Sequence, residues 1–352
     1  MPKISVIMPV FNAEKYLNEA LITLSKQTFN DFEIIAINDG SKDSSLSILN
    51  EYSKTEQRLI VLNQENIGIT KTLNKGIELA RGDYIARMDA DDLCLPQRFE
   101  HQLKYIENNE LDMCGTQFEM FGIFHGLSKY PINCKDCYLS LLLKNSFAHS
   151  SILIKKSVIS KYKYNEIYKY SQDYDLWCRL AIDNVKMGNT PEVLIRFRTS
   201  EGQVSTANNK KQLNFAQCIA KSYWGKYSLT RDLLYPMCLL DSNNNGVNEL
   251  MCSLNSLIEL QKRIKNINFL NDKLNNSIFI LLTRLSSYGL NFIKPYLASN
   301  NICKKERIIL RFLAITEIMT LILYIKKRLP AKYLGLFKNI IRSYLCYFKV
   351  NE

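Results

Sequence analysis

Three carboxylates stand within four residues, at Asp89, Asp91 and Asp92, directly after the apolar run Tyr84-Ile85-Ala86-Arg87-Met88. So much negative charge in one place costs stability unless a cation shares it. Hard divalent ions such as Mg²⁺ or Mn²⁺ take oxygen ligands, and a diphosphate can supply those the protein leaves open. The triplet therefore suits a metal-bridged pyrophosphate. In isolation it equally suits an acidic turn, or the N-cap of the helix expected after Pro96. Asp39-Gly40 is a second candidate, although that pairing is common in ordinary turns. His149 precedes the apolar stretch Ile152-Leu153-Ile154 and stands either in a pocket or at the start of a strand. Arg196 and Arg198 either approach phosphate or solvate a strand edge. Cys134 and Cys137 form one CxxC, but no further ligands lie nearby at zinc spacing, so the pair reads as structural.

The elements that must hold these residues are legible from periodicity. Ile4 to Met8 reads as a buried strand, and Leu17, Ala20, Leu21 and Leu24 follow at helical spacing. The alternation repeats with strand Phe32 to Asn38, a helix from Ser44, strand Leu59 to Leu62, a helix over Thr70 to Ala80, and strand Tyr84 to Met88. Such alternation predicts an α/β domain with a parallel, doubly wound sheet, whose ligands sit beyond the carboxyl ends of the strands. Those positions are Pro9, Val10, Phe11 and Asn12; then Asp39, Gly40 and Ser41; then Asp89, Ala90, Asp91 and Asp92. No GxGxxG or GxxxxGK[ST] loop follows the first strand, which disfavours nicotinamide dehydrogenases and P-loop enzymes.

The chain has 352 residues and a formal charge of +12, of which the last 52 residues supply +8, from eleven Lys or Arg against three acids. The excess is local and no nucleic-acid motif accompanies it, so nucleic acid is not an expected partner. A basic tail points instead to anionic lipid. Ten cysteines are scattered, and no apolar signal core is evident at the start, which predicts reduced thiols and a cytoplasmic location. From about Phe215 strand signals fade and apolar-basic helical stretches take over. The expected division is 1–210 for the catalytic domain and 211–352 for a mostly helical region. Ile308 to Ile325 approaches the length of a bilayer span but is interrupted by Arg311 and Glu317, so an interfacial helix is the expected use of that segment.

Five stretches together resemble glycosyltransferase family 2, the inverting, nucleotide-sugar-dependent enzymes with a GT-A fold. They are Ser5 to Asn12, Asn38 to Asp43, Asn66-Ile67-Gly68 with Leu73-Asn74-Lys75-Gly76, Ala80 to Asp92, and Ser171 to Trp177. The resemblance covers residues 4 to about 200. It implies a GT-A sheet flanked by helices, with a donor site made by Pro9, Phe11, Asp39, Asn66, Lys71, Asp89 and Ala90. Within that set Phe11 is expected beside the base, Asp39 at the uracil imide proton, and Asp89 facing ribose and diphosphate. Asp91 is expected to ligate Mn²⁺ or Mg²⁺. Asp173 resembles the catalytic base, although its place also suits a cap for the helix through Leu176, Trp177 and Leu180. Departures from the family pattern are Asn38, where Asp is usual, and Gln172, where Glu is frequent.

The resemblance implies partners of three kinds: a nucleotide-diphosphate sugar donor, a saccharide or lipid-linked acceptor, and an anionic membrane surface. Work on a bacterial surface polysaccharide is the expected setting. Two other readings compete with it. A nucleotidyltransferase would show a Gly-rich basic loop after the first strand, which Pro9 to Glu14 lacks. A silent membrane-associated scaffold would have no use for the acidic motifs.

Overall fold

The computed structural model describes residues 1–141, 145–200 and 209–224. The basic tail, its expected amphipathic helices and all but the start of the region 211–352 lie outside the described residues. Among the described residues no helix is long and apolar enough to cross a membrane.

Strands β1 (Ile4–Val10), β2 (Phe32–Asp39), β3 (Leu59–Gln64) and β4 (Tyr84–Arg87) alternate with helices α1 (Leu17–Ser25), α2 (Ser45–Ser53) and α3 (Ile69–Leu79). All eight residues of β2 are buried, as expected of a central parallel strand covered on both faces. Leu17, Ala20, Leu21 and Leu24 of α1 face the same core. A two-residue strand β5 (Leu93–Cys94) and helix α4 (Arg98–Asn108) follow. The helix is preceded by Gln97, so the acidic triplet is not its cap.

The second half comprises β6 (Met113–Gly122), β7 (Gly126–Leu127), α5 (Cys134–Leu141), a 3-10 turn (His149–Ser151), β8 (Leu153–Lys155), α6 (Lys156–Tyr162), α7 (Gln172–Ile182), β9 (Met187–Thr199) and α8 (Asn209–Trp224). One sheet runs β3-β2-β1-β4-β8-β6-β9-β5, with β7 paired to β6. It is parallel from β3 through β4, β8 is antiparallel to both of its neighbours, and β6 and β9 are again parallel. The sheet is therefore mixed, and short β8 forms the seam between its halves. In the parallel half, register aligns Val10 with Asn38 and Asn38 with Asn63, so the loops after β1, β2 and β3 emerge side by side.

Candidate active site

The donor-side loops are tied together by short polar side chains. Asn12 receives a backbone hydrogen bond from Lys42 and donates its own N–H to Ser41 Oγ at 3.0 Å. Buried Asp39 accepts from Gln64 Nε2 at 2.8 Å, Ile67 N at 2.9 Å and Gly68 N at 3.0 Å. Gly40 has φ of +72°, and a Cβ there would stand 2.7 Å from the Asn66 nitrogen, so the turn after β2 requires glycine. These bonds bring Asp39 and Asn66 together, while Phe11 lies exposed on the adjoining turn. A carboxylate offers about four lone-pair positions, so Asp39 keeps one beyond its three internal donors. Lys71, on the first turn of α3, is exposed and pairs with Glu166 at 3.8 Å. Its ammonium is directed to that loop and makes no ion pair with the acid cluster.

Asp89, Asp91 and Asp92 each present an oxygen within 4.8 Å of the others. Burial and the neighbouring Asp89 charge push Asp91 up to about 6. Burial raises Asp92 well above the usual carboxylate range, with both neighbouring carboxylates adding to the effect and the Ser150 hydroxyl and Arg198 amide opposing it. Asp92 Oδ1 accepts the Arg198 amide at 2.8 Å, but its Oδ2 is buried with no well-formed partner among the described residues. An all-oxygen donor set with an unpaired buried oxygen and mutually repelling charges fits a hard divalent cation. Asp91 and Asp89 are half-buried, whereas Ala90 between them is buried. Arg198, from β9, anchors the loop by donating Nε to the Asp91 carbonyl at 2.8 Å, and its guanidinium lies 4.2 Å from the Tyr16 ring centroid.

Asp173 enters from the other half. It is the second residue of α7 and follows Ser171 at the cap position, so it sits among the amides of the first turn. Burial raises its pKa, while the Tyr174 amide, the Asn145 side chain and the charge of Arg87 oppose the rise. Asn145 Nδ2 donates to Asp173 Oδ2 at 2.6 Å. The negative charge of Asp173 also adds to the burial that pushes the Tyr130 hydroxyl up to about 12.

Arg87 joins the two sides. It is buried at the end of β4, pairs through Nη1 with Asp89 and lies close enough to Asp173 to favour its ionised form. Its Nε has no partner among the described residues. His149, read as standing either in a pocket or at a strand start, occupies the 3-10 turn that leads into β8. Burial and the Arg87 charge hold its pKa well below the ordinary value, and it shares a 2.8 Å hydrogen bond with the Tyr164 hydroxyl. Sequence reasoning gave no role to Arg87, Asn145 or Tyr164 and left Arg198 open. Only Arg87 carried a signal, a cation within an otherwise apolar strand. The CxxC is structural, with buried Cys137 donating to the Pro131 carbonyl at 3.3 Å.

A parallel half with an acid cluster at its strand ends, facing a half that carries one further carboxylate, is the arrangement of a GT-A glycosyltransferase. The family model described as Glycosyl transferase family 2 matches residues 5–160. The O-antigen biosynthesis glycosyltransferase WbnJ of Escherichia coli is 32% identical over 246 residues, 67% of this chain and 95% of that one. The chain belongs to glycosyltransferase family 2. Among solved structures, TarS of S. aureus in complex with UDP-GlcNAc is similar at a TM-score of 0.53 and 16% identity, over 90% of this chain and 89% of that one. Mannosyltransferase PcManGT from Pyrobaculum calidifontis, in complex with GDP-Man and Mn²⁺, has a TM-score of 0.51 at 13% identity, over 90% of this chain and 86% of that one. These two likenesses concern the fold.

Proposed function

We propose that this glycosyltransferase moves a sugar from a uridine diphosphate carrier to an acceptor hydroxyl, with metal dependence and inversion at the anomeric carbon, during assembly of a surface polysaccharide. The observation that carries the reading is the acid cluster Asp89, Asp91 and Asp92 at the strand ends, whose oxygens lie within 4.8 Å of one another and whose Asp89 pairs with buried Arg87, a cation whose charge also reaches Asp173. The name of the Escherichia coli relative supports the polysaccharide setting. A lipid-linked acceptor at an anionic membrane surface is part of the same proposal and rests on the basic tail.

Asp91 would hold a divalent cation with Asp89 and Asp92 beside it, and that cation would offset charge on the departing diphosphate. The remaining work falls to the chain. Asp39 positions the loop against which the base lies and has one oxygen lone pair for an imide N–H, with the exposed Phe11 ring beside it. Asp173 takes the acceptor proton as the acceptor oxygen bonds to the anomeric carbon, and the electron pair of the broken bond leaves on the diphosphate oxygen. Burial raises its basicity toward that task, and Asn145 fixes which oxygen faces outward. Attack from the side opposite the diphosphate inverts the centre.

The test is a panel of UDP-, dTDP- and GDP-sugars with Mn²⁺, Mg²⁺ or chelator, following nucleotide release with and without acceptor. Release is expected only with metal and a UDP sugar, and is faster with acceptor. A requirement for a GDP sugar would remove the assignment of Asp39 to a uracil edge. Full rates under chelation would remove the cation, and pyrophosphate release from a nucleoside triphosphate would instead favour a nucleotidyltransferase.

A further inference from the structure

Ladder pairing runs out just where the parallel half meets β8. Strand β4 pairs with β8 over three residues, ending at Ala86 and Leu153, and β8 pairs with β6 over two, ending at Leu153 and Cys114. Two side chains from α4 supply hydrogen bonds at this end of the seam. Arg98 Nη2 donates to the Arg87 carbonyl at 3.0 Å and to the Ile152 carbonyl at 3.2 Å, while its Nε donates to Gln102 Oε1 at 2.9 Å. Gln102 Nε2 donates in turn to the carbonyls of Cys114 at 2.8 Å and Ser151 at 2.9 Å. One bonded pair therefore ties β4, β6 and the His149 turn together.

The charge of Arg98 makes this bracket unusual. Arg98 and Gln102 are both at 0% exposure, and Arg98 has no carboxylate in ion-pair contact among the described residues. Its Nη1 meets only sulfur, Met88 Sδ at 3.5 Å and Cys94 Sγ at 3.8 Å. A buried cation without a paired anion is costly, so a neutral residue would be favoured if packing were all that mattered. Lysine would keep the charge but could not span two carbonyls and an amide at once, which the planar guanidinium fork does. The carbonyls it holds belong to Arg87, two residues before Asp89, and to Ile152, directly after the His149 turn.

The geometry points to Arg98, held by Gln102, as a positioning residue that sets the Asp89–Asp92 loop against the His149 turn, and thereby the spacing between donor diphosphate and acceptor side. The functional half of this inference rests on the reading of the acid cluster as the diphosphate site. Two full-length variants test it: Arg98→Lys, and Gln102→Leu, which leaves Arg98 in place should the first not fold. Amide hydrogen exchange over residues 87–94 and 149–155 is expected to accelerate about tenfold or more while β1 to β3 stays protected. UDP binding in the presence of Mn²⁺ should weaken about tenfold. The ratio of donor hydrolysis to transfer should rise. Unchanged exchange in both segments overturns the inference. So does uniform acceleration across the sheet with activity falling only in step with the folded fraction. If wild-type protein does not bind UDP with Mn²⁺, the diphosphate reading fails, and the exchange pattern still decides whether Arg98 brackets the seam.

Discussion

In the half formed by residues 4–92, every candidate site residue except Lys71 lies at or just beyond the carboxyl end of a parallel strand. In the half formed by residues 113–224, the polar groups near Asp173 come from separate places in the chain: Tyr130 from a loop, Asn145 from the segment before the 3-10 turn, Tyr164 from the connection after α6. The first half builds its part of the site from strand register, so neighbouring loops emerge together whatever their detail. The second builds it from tertiary packing, in which Asn145 and Asp173 meet across 28 positions of sequence. On the proposed reading, nucleotide binding falls to the first construction and acceptor recognition to the second.

Substitutions should separate the two halves by kind of effect. Asp173→Asn, in the second half, should lower turnover about a hundredfold or more while leaving UDP affinity nearly unchanged, and proton NMR of the first product should show an inverted centre. Retention of configuration would break the mechanism. Asp39→Asn, in the first half, should do the reverse. It places an amide donor against two backbone N–H groups, so UDP affinity should fall about tenfold, with about 1–3 kcal/mol of stability lost to the unsatisfied donors. Calorimetry and denaturant unfolding would measure both effects.

Two smaller effects sharpen the contrast through pH. The Asn145 hydrogen bond favours ionised Asp173, so Asn145→Ala should move the acidic limb of the turnover profile to higher pH, with activity recovering in alkali. A limb that stays put would detach Asn145 from the base. His149→Gln should leave the profile's shape unchanged, since burial already keeps that ring neutral. Its effect should be on stability. Below the ordinary histidine pKa of 6.5 the unfolded chain binds a proton that buried His149 refuses, so the wild type loses stability as pH falls through that window. The variant should lose less, which thermal melts at two pH values would show.

Much of the first half was legible because its signals are local. Apolar runs from Ile4, Phe32 and Tyr84 marked the strands, and the acids following them marked the ligand side. Arg98 and Gln102 show what was not legible. They stand four apart on the stripe that also carries Phe99, Leu103 and Ile106, and two polar residues on a buried stripe look like a break in amphipathicity until their carbonyl partners are known. The antiparallel seam was hidden for a similar reason. Strand β8 has three residues, and nothing within Leu153-Ile154-Lys155 sets its direction. The ion pair of exposed Lys71 was not legible either, since its partner Glu166 lies on a loop that sequence spacing does not bring near.

The central claim is that Asp91 and its neighbours form a cation-dependent diphosphate site. The most direct measurement is calorimetric titration of UDP into wild-type protein and Asp91→Ala, with and without Mn²⁺, at about pH 7.5, above the value of about 6 to which Asp91 is pushed. Binding to the wild type is expected to require Mn²⁺ and to be lost, or to lose its metal dependence, in the variant. Equal UDP affinity with and without Mn²⁺ in the wild type, or a variant that keeps the full metal-dependent affinity, would contradict the account.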